Sequence, residues 1–147
     1  MAMLGIQAQQ FREIFGQESL DNISHCGFIK KKLWDMQVGL IEEESKEFFD
    51  AAGEVFANPE DQELRENLIK ELSDLVFVCY QFAATFNLDL DEAMHRVFDS
   101  NLSKLDEHGN PIYREDGKVL KGPNYQPPDL SGCVPMPILF HYDTNGK

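Results

Sequence analysis

Positive charge is scarce in this chain. Its 147 residues include 13 Lys+Arg against 26 Asp+Glu, a formal net charge of −13. Binding nucleic acid needs a concentrated basic surface that displaces counterions from phosphates. The one basic run, Lys30-Lys31-Lys32, is too short to line a groove, so no nucleic-acid partner is expected. Long apolar runs are missing too. The longest uncharged stretch, Leu75 to Leu88, has 14 residues, short of the ~20 that cross a bilayer as a helix, so no membrane partner is expected. Met1-Ala2-Met3-Leu4-Gly5 has neither the basic start nor the apolar stretch of a secretory signal, and a cytoplasmic location is the expectation. Cysteine is rare: Cys26, Cys79 and Cys133 are odd in number and far apart. They fit neither a disulfide framework nor a zinc site and read as inert thiols in a reducing compartment. What remains is an acidic chain long enough for one domain with a real core.

Hydrophobic period divides the chain into a helical part, to about residue 105, and an irregular tail. Leu4, Ala8, Phe11 and Phe15 mark one face of a first helix, broken by Gly16. A second is expected from about Phe28 to Phe56, with Leu33, Leu40, Phe48, Ala51 and Val55 inward. Asn58-Pro59 ends it and opens a third that runs to about Phe86. Asp89 with Glu92 reads as a capping box for a fourth helix ending near Leu105. The predicted fold class is all-α, an antiparallel helix bundle. Six of the seven prolines lie at or beyond Pro111. Asp116-Gly117 predicts an irregular C-terminal hairpin, and Gly122 to Pro128 a Pro-rich arm laid along the bundle. Residues 1–132 are read as the domain and 133–147 as a poorly ordered tail. Apolar outer faces carrying Phe49, Phe77 and Tyr80 predict completion by oligomerisation.

Helical phase exposes an anomaly. At ~100° per residue, Glu44 and Glu47 fall inside the stripe of Leu33, Leu40 and Ala51, while Glu42, Lys46 and Asp50 face water. Glu71 likewise falls within the stripe of Leu64, Leu75 and Phe82, with Asp74 at its edge. Two neighbouring helices thus each place two carboxylates where leucines normally sit. Side chains at i and i+3 lie ~5–6 Å apart on one face, a spacing suited to sharing an ion. Buried carboxylates must be protonated, paired with bases or bound to cations. Lys46 and Lys70 are expected to point to other faces, which leaves cations as the favoured answer. Oxygen-only donors suit Mg²⁺, or Mn²⁺ as a substitute, whereas zinc recruits His and Cys. A di-iron redox bundle wants Glu-x-x-His, and Glu71-Leu72-Ser73-Asp74 has no His. The competing reading is a solvated acidic face, because Glu-x-x-Glu arises freely in so acidic a chain.

The fourth helix shows the same intrusion with other chemistry. Asn101 and Lys104 fall within the stripe of Leu90, Met94, Val97 and Leu105. They either balance charge or reach phosphates of a metal-bound ligand, with Lys118 and Lys121 as further donors. Trp34 and Gln37, near the front of the second helix, are candidates for contact with a base; for Trp34 the core is the competing place.

Glu43-Glu44-Ser45-Lys46-Glu47 followed by Glu71-Leu72-Ser73-Asp74 resembles the paired EExxE and ExxD motifs of the MazG-like all-α nucleoside triphosphate pyrophosphatases. Relatives of that group include dimeric dUTPases and phosphoribosyl-ATP pyrophosphohydrolases. Ser100-Asn101-Leu102-Ser103-Lys104, Asp116-Gly117-Lys118 and Lys121-Gly122-Pro123-Asn124-Tyr125 resemble a MazG-like branch with a dUTP-hydrolysing member. The likeness covers about residues 28 to 130. It implies Glu44, Glu47, Glu71 and Asp74 as metal ligands, and Glu43 as an additional ligand or the group that orients attacking water. Asn101, Lys104, Lys118, Lys121, Tyr125 and Trp34 become the expected substrate contacts. The implied activity is Mg²⁺-dependent hydrolysis of a nucleoside triphosphate, dUTP or dCTP among the candidates, to monophosphate and pyrophosphate, by a homodimer or homotetramer. Charge supports that chemistry: an acidic protein repels a triphosphate unless divalent ions bridge the two. The alternative from another class is a catalytically silent helical interaction module stabilised by metal.

Overall fold

Two long helices with carboxylates midway along each form the frame. The computed structural model describes residues 3–17, 28–134 and 139–141, with residues 28, 29 and 139–141 described by backbone alone. The described elements are α1 (Met3–Ile14), β1 (Phe28–Lys30), α2 (Lys31–Ala57), α3 (Gln62–Thr85), α4 (Leu90–Leu102) and β2 (Leu139–His141). The all-α expectation holds, with one short strand pair added. The chain divides into a larger unit, Met1–Leu88 with Pro135–Lys147, and a smaller one, Asp89–Val134. No described helix is long and apolar enough to cross a membrane.

In the larger unit α2 stops where Asn58-Pro59 stops it. The Asn58 N–H still reaches the Glu54 carbonyl at 3.0 Å, but a proline beyond it favours departure from helical geometry. Asp61 then caps α3, its Oδ1 accepting from the Leu64 N–H at 3.2 Å. The two helices run antiparallel: Trp34 near the start of α2 meets Phe82 and Phe86 near the end of α3, at 5.1 and 4.9 Å between ring centres. Leu33 and Phe86 are the buried centre of this cluster, with Trp34, Phe82 and Leu88 packed around them. Helix α1 lies on α3. Ala8 is fully buried there, Phe11 meets Phe77 edge-on at 5.3 Å, and the Gln81 amide donates to the Ala8 carbonyl at 3.1 Å. Arg12 is buried as well and donates to Gln81 Oε1. Helix α2 begins at Lys31 rather than Phe28, because residues 28–30 are extended and pair in parallel with residues 139–141. That pairing is non-local, so periodicity near Phe28 carries no trace of it. Phe49, Phe56 and Ile69 are exposed.

In the smaller unit Asp89 caps α4 as expected, Oδ1 accepting from the Glu92 N–H at 3.0 Å. The second half of the capping box does not form. Glu92 instead accepts from Arg96 Nε at 2.8 Å, and the Asp89 N–H goes to the Cys133 carbonyl at 2.8 Å. The predicted hairpin is present: Tyr113 bridges Val119 in antiparallel fashion, and Gly117 supplies a φ of +85° at the turn. The Pro-rich arm is tied down by side chains rather than a ladder. Ser100 Oγ donates to the Gln126 carbonyl at 2.7 Å. Arg96 Nη1 donates to the carbonyls of Asp129 and Ser131 at 2.8 and 2.7 Å. Gly122 touches the segment that follows α4 so closely that a Cβ would stand 2.5 Å from the Leu105 carbonyl oxygen. Cys133 is buried, and burial pushes the half-buried Cys79 thiol up, away from reactivity. Cys26, and most of the tail expected to be poorly ordered, lie outside the described residues.

Candidate metal centre

The antiparallel register of α2 and α3 sets the middle of one against the front half of the other. Glu44 and Glu47, one turn apart on α2, thereby meet Glu71 on α3. Each offers a carboxylate oxygen, and these oxygens lie within 4.8 Å of one another. The group is graded in exposure: Glu71 is buried, Glu44 half-buried and Glu47 exposed. The expectation that Glu47 faces the core is corrected here. Phase puts it on the α3 side of α2, but at the open rim of the helix pair, where water reaches it. One wall of the site is thus sealed and the other is accessible to a ligand.

Electrostatics confirm an excess of negative charge. The Glu44 carboxyl is pushed up, first by lost hydration, then by Glu47 and Asp74, with Lys70 opposing and Glu71 adding a smaller upward push. Glu44 Oε2 is buried without a hydrogen-bond partner among the described residues. A sealed oxygen lacking a donor, in an all-oxygen set with surplus charge, fits a hard divalent ion such as Mg²⁺.

Lys70 corrects the sequence reading. It was expected on another face, yet its ammonium donates to both Glu71 oxygens at 3.1 and 3.2 Å and pairs with Asp74 Oδ2 at 2.9 Å. Helical phase places a Cβ, whereas a lysine's four methylenes carry its charge back across the helix surface. Its hydrogen bonds, to Asp74 and then Glu71, hold its pKa well above the ordinary lysine range. Asp74 pairs with Lys70 and lies outside the three-carboxylate group. Glu43 is exposed beside Glu44.

Other expected site residues fall as follows. Trp34 is half-buried, with Phe82 and Phe86 packed against its ring. Gln37 is 1% exposed, with Oε1 unpartnered among the described residues. In the smaller unit Asn101 and Lys118 are exposed and Lys104 is half-buried. The Lys104 carbonyl accepts the Gly122 N–H at 2.9 Å, and Lys121 Nζ lies 4.5 Å from the centre of the Tyr125 ring. The structure thus brings Lys104 to Gly122 and Lys121 to Tyr125.

No curated protein matches the chain. The model of one family, phosphoribosyl-ATP pyrophosphohydrolase, matches residues 8–101, from α1 through nearly all of α4. That span holds the three clustered glutamates, Asp74 and Asn101, and stops before Lys104 and the hairpin. The motif-based likeness to MazG-like proteins is thereby supported at the level of the superfamily. With nearly two thirds of its length matched, the chain belongs to the phosphoribosyl-ATP pyrophosphohydrolase family, MazG-like all-α hydrolases of phosphoanhydrides.

Proposed function

We propose that the chain hydrolyses the α–β phosphoanhydride of a nucleoside triphosphate with Mg²⁺, for which Mn²⁺ substitutes. The observation that carries the reading is the trio Glu44, Glu47 and Glu71, with its buried, donorless Glu44 oxygen. These three, joined by Asp74, are the proposed ligands. A divalent ion there supplies charge neutralisation for phosphate oxygens and acidity to water. The chain's own part is to hold and orient. Glu71, buried and fixed on α3, anchors the site, while exposed Glu47 leaves room for the nucleotide. Glu43, adjacent and exposed, is the proposed base: it takes a proton from the water whose oxygen attacks the α-phosphorus. The bond from that phosphorus to the bridging oxygen breaks, and pyrophosphate leaves with the bridging oxygen. Asn101, Lys104, Lys118 and Lys121 are assigned to phosphates, and Trp34 and Tyr125 to the nucleoside, on chemical grounds.

The proposed substrates are deoxynucleotides such as dUTP or dCTP. The family match favours a second reading, phosphoribosyl-ATP itself, which presents the same triphosphate. Pyrophosphate release over a panel of dNTPs, NTPs and phosphoribosyl-ATP with Mg²⁺ decides between them. Absence of turnover on the whole panel, while Mg²⁺ still raises the melting temperature, would establish the silent metal-stabilised module instead. The exposed Phe49, Phe56 and Ile69 support the further proposal of a homodimer or homotetramer, measurable by light scattering.

A further inference from the structure

We infer that Lys70 is a built-in competitor at the metal centre: its ammonium holds the Glu71 and Asp74 oxygens that a divalent ion needs, and it must leave them for the ion to bind. The inference rests on the reading of Glu44, Glu47 and Glu71 as ion ligands, and it adds a residue outside the paired motifs. The three N–H bonds of an ammonium match three oxygens here, two of Glu71 at 3.1 and 3.2 Å and one of Asp74 at 2.9 Å. An ammonium on both Glu71 oxygens repels a dication brought to the same carboxylate, so the two cations compete for Glu71.

Burial shows which partner moves. The Glu71 side chain is 10% exposed and that of Lys70 59% exposed, so the lysine covers the buried acid from the solvent side. Swinging its ammonium into water regains rotamer freedom and breaks contacts of the weak surface kind. Glu71 has no such exit, and left alone it would be an unpaired buried charge. Lys70 therefore does two jobs. It protects folding from a costly carboxylate, and it lowers metal affinity by making the ion displace it. Displacement also frees Asp74, which Lys70 holds at 2.9 Å, to act as a fourth ligand. Lys46 is the natural control. It sits on α2 near Glu47 but pairs with Asp50 at 2.6 Å and takes none of the ligand oxygens.

The test uses the full chain, chelated and then titrated with Mg²⁺ or Mn²⁺ in a calorimeter. Lys70→Met and Lys70→Gln are expected to tighten binding about three- to tenfold, and Lys46→Met less than about twofold. In the wild type, the Lys70 Cε and Nζ NMR signals should move with the same midpoint toward those of a solvent-exposed lysine. Circular dichroism checks that each variant is folded; if Met disturbs folding, Gln still reports. Unchanged or weaker binding in both Lys70 variants overturns the inference. So does an equal gain in Lys46→Met, which reduces the effect to charge at a distance, or a Lys70 signal unmoved at saturation. Absence of binding heat in the wild type and every variant overturns the metal-centre reading itself. Binding of unchanged strength in the Lys70 variants overturns only the competitor.

Discussion

Glu44→Gln separates what folds the protein from what equips it. In the wild type lost hydration, then Glu47, Asp74 and Glu71, push the Glu44 carboxyl up against an opposing Lys70, and one of its oxygens is buried without a donor among the described residues. Replacing it with an amide removes one like charge and supplies N–H donors to neighbouring carboxylates within 4.8 Å. Relieving an unsatisfied buried acceptor is worth about 1 kcal/mol, which in a chain of this size raises Tm by about 2–4 °C. With EDTA present, the variant should therefore melt above the wild type. With Mg²⁺ at 100 times its dissociation constant, the wild type gains about 2.7 kcal/mol, or about 5–10 °C, and the variant gains little. The ranking of the two proteins inverts as the ion is added. Differential scanning calorimetry in both buffers reads this directly. A Glu44→Gln protein that melts below wild type in EDTA and keeps the full Mg²⁺ shift would refute the reasoning, because Glu44 would then be neither strained nor a ligand.

The same residue sets a pH dependence. A carboxyl with a raised folded pKa penalises the fold increasingly as pH climbs from its unfolded value to its folded one. The advantage of Glu44→Gln in EDTA should therefore vanish at strongly acidic pH and level off toward neutrality, and Mg²⁺ binding to the wild type should begin to weaken above the ordinary carboxylate range on acidification. Glu47→Gln, at an exposed position, should abolish Mg²⁺-dependent turnover while moving stability in EDTA by no more than about 0.5 kcal/mol; a large loss of Tm would mark a structural role. Asp89→Ala removes the acceptor of the Glu92 N–H and should cost about 1 kcal/mol in thermal unfolding. Gly122→Ala sets a methyl 2.5 and 2.6 Å from two backbone carbonyl oxygens, and should cost about 1–3 kcal/mol, seen as faster amide exchange in residues 120–126.

What the sequence discloses here is whatever depends on a few neighbouring residues. The Asp89 cap, the Asn58-Pro59 break and the Gly117 turn are local chemistry, and each is found where expected. The carboxylate trio was legible because helical phase fixes where a short side chain starts, and glutamates do not stray far from it. Lys70 was misread for the same reason inverted: its start is fixed by phase, but its charge lies at the end of a long flexible stem. Glu92 does not close the capping box because Arg96 takes its carboxylate and the Cys133 carbonyl takes the Asp89 N–H. The parallel pairing of residues 28–30 with 139–141 involves segments at opposite ends of the chain, and no window of sequence contains both.

The contact between α1 and α3 has its own consequence. A helix held by greasy surface alone slides by a turn at modest cost, since one leucine-sized groove resembles the next. Gln81 ends that freedom by grasping a main-chain oxygen of Ala8 with its amide while offering its own oxygen to Arg12. Any slippage of the first helix breaks both bonds and leaves the buried Gln81 amide without them. The first helix is thereby keyed to one position, although Met3, Leu4 and Ile6 lie open to water on its outer side.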